Sequence, residues 1–475
     1  MRPLMVLGCT SDAGKSLLVT ALCAWFRREG VQVAPFKAQN MSNNARVVAT
    51  DHGSGEIGVA QWLQARAAGI EPDVRMNPVL LKPEADTQSQ VIVRGQVDRA
   101  LTDTPWQARH DALWDPMASA CDELRADFDL VVIEGAGSPA EINLVDQVNN
   151  RMVEHADAAA LLVSDIDRGG SFAHLFGTWS LVPDATRSRL AGFVLNKFRG
   201  DPLLLAPGPD RLTAMTGMVH AGTVPMLSHR LPQEEGASEH TDAPIDAPVV
   251  AIPRLPFGSN LDEFHVLSHV ANVRWTANPR SILEADVVIL PGSKHVAADM
   301  EWMREQGLAD AVVRAADAGM PIIGVCGGAM MLGDRLDDPH GVEGGRHRTG
   351  GPTHTLGLLP IRTTMQPKKL AAHVAIDFNH GDAGRQNYDG YEIRNGVVDG
   401  GDELVVATSP NGPVAWQLGN VTATTVHGLF EHPVFIEATL GVVALDVLDE
   451  TFVQLADAVE AHLDTNLLRR LTQSS

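Results

Sequence analysis

The chain has 475 residues, of which 44% are hydrophobic and 20% are charged, and its formal net charge at pH 7 is −22. This length predicts two or three domains with cores of their own, and the composition excludes disordered and collagen-like proteins. The acidic charge argues against a nucleic-acid-binding protein, because phosphate binding requires a basic surface. No apolar run approaches the ~18–20 residues that a membrane span needs. We expect a soluble, cytoplasmic protein without nucleic-acid or membrane partners.

The first half of the chain alternates short apolar runs with amphipathic stretches. Strands are predicted at 3–8, 31–36, 130–135, 159–164 and 191–196. Helices are predicted at 14–29, 56–68 and 170–181. Continuous apolar strands separated by helices are typical of a parallel sheet that is covered on both faces. This half therefore predicts an α/β domain.

A polar segment at 228–248, rich in Pro, Gly and acidic residues, interrupts this pattern and predicts a linker. Apolar runs then return at 249–255, 286–292 and 321–328, and the chain closes with a helix near 449–468. We predict two α/β domains, 1–227 and 249–475, joined by the linker.

A glycine-rich loop, GCTSDAGKS, directly follows the first predicted strand and is one residue longer than the strict P-loop pattern. In such loops backbone amides surround phosphate oxygens and the next helix points its N-terminus at the anion. Gly14 and Lys15 would bind the phosphates of ATP, and Ser16 would ligate Mg²⁺. A plain glycine turn is the alternative reading, but the strand before the loop and the amphipathic helix after it favour a nucleotide site.

Two further strand ends predict parts of the same site, because ligands of open α/β sheets bind at the carboxyl ends of strands. Glu134 closes an all-apolar strand, which places it better as a second Mg²⁺ ligand than as a solvated side chain. Asn196 begins NKFRGD, which is similar to the base-contacting segment of related nucleotide-binding folds. We expect Asn196 to contact adenine.

The second half contains a candidate nucleophile. Cys326 lies between an apolar run and a predicted helix, among small residues, as in a nucleophile elbow. His427 ends another predicted strand and could act as its base. The amides of Gly292 and Gly327 are candidates for an oxyanion hole. Singly, Cys326 and His427 would more often be structural, but their order and spacing together favour catalysis.

The chain resembles the glutamine-dependent cobyric acid synthase family over almost its whole length, sparing mainly 228–248 and 335–350. The segments that carry the resemblance are APFKAQNMSNNA (34–45), GEIGVAQ (55–61), MNPVLLKP (76–83), SDIDRGGSFA (164–173), NKFRGD (196–201), LPGSK (290–294) and GYEI (390–393). The APFKxQNMS string separates this family from its relative, cobyrinic acid a,c-diamide synthase.

The resemblance implies an N-terminal P-loop ATPase domain like dethiobiotin synthetase and a C-terminal class I glutamine amidotransferase domain. It also implies ATP- and Mg²⁺-dependent amidation of the b, d, e and g carboxylates of a corrinoid, adenosylcobyrinic acid a,c-diamide, to adenosylcobyric acid. An acyl phosphate would form, and Cys326 would release ammonia from glutamine. Contacts to substrate or phosphate would come from Lys37, Gln39, Asn40, Ser42 and Asn44, which otherwise read as a polar loop.

Several residues depart from the family pattern around the nucleophile and the histidine. Ala329 and Met330 replace the usual Tyr-Gln after the nucleophile, Thr425 replaces a Tyr, and Arg394 replaces a His. Because the usual Gln contacts bound glutamine, we expect weakened glutamine use. Leu429 stands where many class I enzymes carry a Glu, a feature shared by the family, which predicts a Cys–His pair without a carboxylate.

Two alternatives to the glutamine-dependent amidase remain open. One is a ligase that uses free ammonia because its glutaminase site has decayed. The other is a partitioning-type nucleotide-switch ATPase, which shares the lengthened P-loop but needs neither Cys326 nor His427.

Overall fold

The computed structural model describes residues 1–50, 53–85, 88–143, 146–234, 243–343, 352–381, 384–444 and 447–473. The strands are β1 Leu4–Gly8, β2 Val33–Phe36, β3 Gln39–Met41, β4 Ala45–Thr50, β5 Gly53–Gly58, β6 Val79–Ala85, β7 Gln88–Val93, β8 Gln96–Val97, β9 Leu130–Glu134, β10 Ala159–Asp165, β11 Leu190–Phe198, β12 Val219–Pro225, β13 Val249–Pro253, β14 Asn272–Thr276, β15 Val287–Leu290, β16 Ile322–Val325, β17 Arg335–Asp337, β18 Thr353–His354, β19 Ile361–Asn379, β20 Arg385–Gly400, β21 Val405–Ser409, β22 Gly412–Leu418 and β23 Val421–Thr424.

The helices are α1 Lys15–Arg28, α2 Val59–Ala68, α3 Arg99–Asp103, α4 Trp106–Asp127, α5 Met152–His155, α6 Ser171–Leu181, α7 Asp184–Arg187, α8 Gly208–Thr216, α9 Pro279–Leu283, α10 Val296–Glu305, α11 Leu308–Asp317, α12 Gly327–Leu332, α13 Pro433–Leu440, α14 Leu448–His462 and α15 Thr465–Thr472. Within the described ranges, no helix has both the length and the apolar character needed to cross a membrane.

The first sheet has six parallel strands in the order β12-β11-β10-β1-β9-β2. Its middle strands are buried on both faces: Met5 and Leu7 of β1 belong to one core, whereas Leu4 and Val6 belong to another. Burial on both faces explains why these strands read as continuous apolar runs. The five strands predicted in this half all lie in this sheet.

The second sheet has seven strands in the order β14-β13-β15-β16-β23-β22-β21. The strands from β14 to β23 are parallel, and β22 and β21 add an antiparallel edge. A long hairpin, β19 and β20, stands beside it in a four-stranded sheet of its own with β17 and β18. The predicted α/β fold class is confirmed in both halves.

Residues 39–97 form small sheets that the sequence pattern did not predict. Here β3, β6, β7 and β8 make one sheet and β4 pairs with β5 in a hairpin. The predicted helix 56–68 is therefore too long, because Glu56 lies in β5 and α2 begins only at Val59. A side chain at Gly55 would come 3.1 Å from the Cα of Gly95, so close backbone packing favours strand there.

The C-terminal segment corrects the predicted domain division. Although 249–475 was assigned to one domain, Phe452, Leu455 and Val459 of α14 lie in the same core as α1 of the first sheet. The single helix predicted at 449–468 is also wrong: α14 ends before Leu463, and Asp464 accepts a hydrogen bond from the Leu467 amide at 2.9 Å and starts α15. The chain therefore returns to its first domain at its end.

Candidate active site

The P-loop connects β1 to α1 in a closed geometry. Gly14 has φ +91°, and a Cβ there would lie 2.1 Å from Nδ2 of Asn196. That amide donates to the Ala13 carbonyl at 2.8 Å, so Asn196 supports the loop backbone; its predicted contact with adenine stays a prediction. Lys15 folds over the loop, with its ammonium 3.3 Å from the Thr10 carbonyl and 3.1 Å from the Gly137 carbonyl.

Two carboxylates meet beside this loop. The Ser16 hydroxyl lies 2.8 Å from Glu134 Oε1 and 2.8 Å from Glu234 Oε2. The ammonium of Lys37 lies 2.8 Å from Glu134 and 2.9 Å from Glu234. Burial alone would lower the pKa of Lys37, but the two carboxylates raise it above its usual value. Lys37 is therefore held charged between them.

Glu234 is the functional residue of this site that the sequence did not predict, because it lies in the segment 228–248 assigned to a linker. Its backbone carbonyl accepts from Ser42 Oγ at 3.0 Å and from Asn44 Nδ2 at 3.3 Å. Burial alone would raise the pKa of its carboxyl, but Lys37 holds it below its usual value. An acidic polar loop carries no local signal for such a role, so only the fold reveals it.

The residues at this site fit Mg²⁺ and ATP. Mg²⁺ prefers oxygen ligands, and Ser16, Glu134 and Glu234 present a hydroxyl and two carboxylates to one point. Gln64 donates to Glu134 at 2.6 Å, while its buried Oε1 has no hydrogen-bond partner among the described residues. An unsatisfied buried oxygen next to a carboxylate is compatible with a site that gains a polar ligand.

Four of the five predicted substrate contacts gather around Glu234. Lys37, Ser42 and Asn44 bind it directly, and Asn40 contributes a hydrogen bond that lowers its pKa. Gln39 does not join them, because it precedes Asn40 in β3 and its side chain points to the opposite face, where it lines a small cavity with Trp106.

The candidate nucleophile occupies a sharp turn. Cys326 has φ +51° between β16 and α12, and its amide donates to the Thr424 carbonyl at 2.7 Å. A non-glycine residue in this region costs about 1–3 kcal/mol and is typical of functional sites. A Cβ at Gly328 would lie 2.0 Å from the Leu290 carbonyl oxygen, which explains the small residues after Cys326. This is the geometry of a nucleophile elbow.

His427 is held by a carboxylate and lies at the same cavity as Cys326. Its Nδ1 lies 2.6 Å from Glu263 Oε1, and Glu263 Oε2 accepts from the Gly428 amide at 2.9 Å. Cys326 lines the same cavity as His427, and its Sγ lies 3.9 Å from the Ile393 carbonyl oxygen. Burial alone would lower the pKa of His427, but Glu263 and Cys326 raise it to about 10. The imidazole is therefore favoured in its charged form.

The expectation of a Cys–His pair without a carboxylate is wrong. Many class I enzymes carry the carboxylate two residues after the histidine, where this chain has Leu429. Here the carboxylate is that of Glu263, which precedes His427 by 164 residues. Glu263 lies in a 3₁₀ segment, Leu261–His269. The sequence offered only an acidic residue in an unassigned stretch, so no local pattern could identify it.

The two predicted oxyanion glycines lie against the catalytic residues. A Cβ at Gly292 would lie 3.2 Å from Cε1 of His427 and 2.7 Å from the Ser259 carbonyl oxygen. A Cβ at Gly327 would lie 2.5 Å from the Ser293 amide nitrogen. Close packing thus requires glycine at both positions, and the use of their amides as an oxyanion hole stays a prediction.

The departures from the family pattern form a connected group. Arg394 pairs with Glu392 at 2.7 Å, and the Thr425 hydroxyl lies 3.3 Å from the same carboxylate. Met330 is buried, and its thioether would be 2.9 Å from a Cβ at Gly396. Arg394 and Thr425 thus share one buried carboxylate, and the weakened use of glutamine stays a prediction.

A cavity of about 660 Å³ lies between the two halves, lined by Cys326 and His427 on one side and by residues of the first half on the other. Glu56 lies there, 2.6 Å from Lys82 and 2.6 Å from Lys369 of the second half. Burial alone would raise the pKa of Glu56, but the two lysines lower it to about 2. A charged, polar cavity therefore connects the thiol to the first domain.

Each half of the chain matches the model of a known domain family. Residues 4–239 match the CobQ/CobB/MinD/ParA nucleotide binding domain, and residues 249–435 match the CobB/CobQ-like glutamine amidotransferase domain.

Curated relatives match the chain from end to end. The cobyric acid synthase of Variovorax paradoxus (strain S110) is 49% identical and aligned over 99% of each chain. That of Albidiferax ferrireducens is 48% identical over 98% of each chain. That of Leptothrix cholodnii is 48% identical over 99% of this chain and 97% of its own.

Proposed function

Because the chain belongs to the cobyric acid synthase family and is a glutamine-dependent ligase of that type, we propose that it amidates four carboxylates of a corrinoid. These are the b, d, e and g carboxylates of adenosylcobyrinic acid a,c-diamide, and the product is adenosylcobyric acid. The observation that supports this proposal is the presence, in one chain, of a P-loop site and of a Cys326–His427–Glu263 cluster that opens on a cavity lined by both halves.

The first domain would activate the carboxylate, which is a poor electrophile. A carboxylate oxygen attacks the γ-phosphorus of ATP, the bond to the bridging oxygen breaks, and ADP leaves an acyl phosphate behind. Lys15 and Lys37 bring positive charge to the phosphates as negative charge moves onto the leaving group. Mg²⁺ would be held by Ser16, Glu134 and Glu234 and would offset the charge of the phosphates.

The second domain would supply ammonia. The Cys326 thiolate attacks the side-chain carbonyl carbon of glutamine, and the His427 imidazolium gives its proton to the departing nitrogen, which leaves as ammonia. Water, deprotonated by His427, then hydrolyses the thioester to glutamate and restores the thiolate. Glu263 fixes the ring orientation and stabilises the imidazolium. The amides of Gly292 and Gly327 would hold the oxyanion.

The two half-reactions meet when ammonia reaches the acyl phosphate. Ammonia attacks the acyl carbon, phosphate leaves with the bonding electrons, and loss of a proton gives the amide. Ammonia is protonated quickly in water and is then not nucleophilic. The cavity beside Cys326 extends to Glu56 and Lys82 of the first half and would form the first part of a route for it.

The test is a mass-resolved amidation assay on adenosylcobyrinic acid a,c-diamide with ATP and Mg²⁺. Wild type and Cys326→Ser are compared with glutamine and with ammonium chloride. We expect four amidations by wild type with either nitrogen source, loss of the glutamine reaction in the variant, and its rescue by ammonium chloride. Product from ammonium chloride alone would identify an ammonia-dependent ligase. ATP hydrolysis without any amidation would favour the nucleotide switch.

A further inference from the structure

The glutaminase histidine is supported by a residue of the other domain. Arg46 lies in β4 of the first half and is only 4% exposed. Its guanidinium forms ion pairs with Asp262 and with Glu431 of the second half. Removing an arginine from water costs free energy, which the two ion pairs offset. Loss of either side of this cluster would therefore leave a buried charge without its partner.

Both carboxylates that bind Arg46 are next to the catalytic cluster in the chain. Asp262 immediately precedes Glu263 in the segment Leu261–His269, and Glu431 closes the short turn Leu429–Glu431 that follows His427. One guanidinium therefore ties together the two backbone segments whose relative position sets the 2.6 Å contact between His427 and Glu263.

An aromatic ring makes a third connection. The Arg46 guanidinium lies 5.4 Å from the ring centroid of Tyr391, within the range of a cation–π contact. The same ring stacks on the His427 imidazole, with centroids 5.3 Å apart and planes inclined by 18°. Tyr391 and His427 also exchange backbone hydrogen bonds at 3.2 Å and 2.9 Å. A displacement of Arg46 would therefore affect the position of the imidazole through Asp262, Glu431 and Tyr391.

Neighbours of Arg46 hold the same junction. Asn260 donates to the Ala45 carbonyl at 3.1 Å and to the Tyr391 hydroxyl at 3.1 Å. Asn44 accepts from the Leu261 amide at 3.1 Å. The strand that carries Arg46 is therefore fixed against the segment that carries Glu263, and small displacements on one side are transmitted to the other.

The charges of the cluster make Arg46 necessary. Asp262, Glu263 and Glu431 are three carboxyl groups in or next to the buried cluster, and burial raises the pKa of Asp262 and of Glu431 while Arg46 opposes that rise. Without Arg46, these two groups must take up protons or move toward water. Either response displaces the segments that hold Glu263 and His427.

We propose that Arg46 of the nucleotide-binding domain is a positioning residue of the glutaminase site, which is incomplete without it. This inference rests on the proposed glutaminase function of Cys326 and His427. Its consequence is that the second half of the chain cannot reach full glutaminase activity on its own, because part of its catalytic geometry is supplied by the first half.

The experiment uses the full chain with Arg46→Gln and Arg46→Lys. The matched control is Arg75→Gln, since Arg75 also pairs with two carboxylates, Asp73 and Asp127, but lies within the first half and does not line the cavity beside Cys326. Each variant is assayed for kcat and KM with glutamine and for amidation with ammonium chloride. The pH dependence of Cys326 alkylation by iodoacetamide is measured as well, because it reports the Cys–His pair without any turnover.

We expect Arg46→Gln to lower glutamine kcat about tenfold to a hundredfold, because displacements near 1 Å in a catalytic geometry cost that much. Ammonia-dependent amidation should stay within about twofold, and the alkylation profile should move along the pH axis. Arg46→Lys keeps the charge but not the planar fork, so it should restore part of the glutamine activity. Arg75→Gln should leave all three readouts unchanged.

Equal loss of both activities in Arg46→Gln, unchanged glutamine turnover, or an unchanged alkylation profile would each overturn the inference. These results are distinguishable from failure of the proposed function. That failure would appear in a chain with Arg46 intact, as glutamine-dependent amidation that persists in Cys326→Ser.

Discussion

The two sites of this chain bury carboxylates beside a cation, but they use them differently. At the nucleotide site, Glu134 and Glu234 share Lys37 and the Ser16 hydroxyl, which are groups that an incoming metal or phosphate would also bind. At the glutaminase site, the carboxylate of Glu263 binds the His427 imidazole and the Gly428 amide. Under the proposed function, the first arrangement would exchange partners when ATP and Mg²⁺ bind, whereas the second is in place without glutamine.

This difference agrees with what each site would do under the proposed function. Phosphoryl transfer needs charge compensation that changes as ATP enters and ADP leaves. Thioester chemistry needs one imidazole held in one orientation through two steps. A fixed carboxylate serves the second task and an exchangeable pair serves the first.

The largest effect is expected from Lys15→Ala, which should abolish the reaction at the nucleotide site without affecting the glutaminase site. Lys15→Ala should lower amidation about a thousandfold or more with glutamine and with ammonium chloride alike, because the lysine compensates phosphate charge whichever nitrogen source is used. The same mass-resolved assay measures it. Glutaminase activity, read as glutamate release, should persist in this variant, and retained amidation would remove the argument from the P-loop.

Glu263→Gln should act only on the other site. We expect a fall of about a hundredfold to ten-thousandfold in glutamine-dependent kcat, because a neutral amide neither stabilises the imidazolium nor fixes its tautomer. Amidation with ammonium chloride should remain at the wild-type rate. A parallel loss of both reactions would mean that Glu263 supports the fold as a whole.

The same carboxylate predicts a pH dependence of stability. The pKa of His427 is raised from 6.5 to about 10 in the folded chain, so its charged form stabilises the fold fully below pH 6.5. That stabilisation is lost as the pH rises through about 10. Glu263→Gln should therefore destabilise the protein most near pH 6.5 and hardly at all above pH 10, as urea unfolding would measure. A difference in the free energy of unfolding between wild type and variant that grows with pH would contradict the raised pKa of His427.

A smaller effect is expected at the exchangeable pair. Glu234→Gln removes one of two carboxylates and should raise the Mg²⁺ concentration needed for nucleotide binding roughly tenfold. Equilibrium binding of a fluorescent ATP analogue at varied Mg²⁺ measures this without turnover. The exposed neighbour Gln233 provides the control as Gln233→Ala, and an unchanged Mg²⁺ requirement in Glu234→Gln would exclude Glu234 as a ligand.

The two sites also differ in how far the sequence predicts them. The P-loop is contiguous, and its lysine, serine and flanking strand could be recognised because phosphate binding requires them at fixed spacing. Glu134 could be placed by the rule that strands of a parallel sheet end at one edge. Glu234 could not, because a loop residue reaches the site only through the path of the folded chain.

For the glutaminase site, the sequence indicated Cys326, where a turn requires small neighbours, and His427, which follows a strand. Glu263 and Arg46 are distant in sequence from the residues they support, and their role depends on how two domains pack. The domain assignment of α14 could not be predicted for the same reason. Its apolar face has the same sequence pattern whichever sheet it packs against. Local patterns thus identify elements, and packing assigns them to a domain.

The smallest predicted effect tests the assignment of α14 to the first domain. Arg28 of α1 pairs with Asp457 at 2.6 Å and Glu460 at 2.8 Å, which ties α14 to the helix that begins at the P-loop. All three side chains are partly exposed, so Arg28→Gln should cost only about 0.2–1 kcal/mol and less at high salt. Thermal inactivation of the ammonia-dependent reaction should begin slightly earlier, while glutamate release keeps its wild-type profile. An earlier loss of glutamate release instead would assign α14 to the glutaminase half, because the broken contact would then belong to that domain.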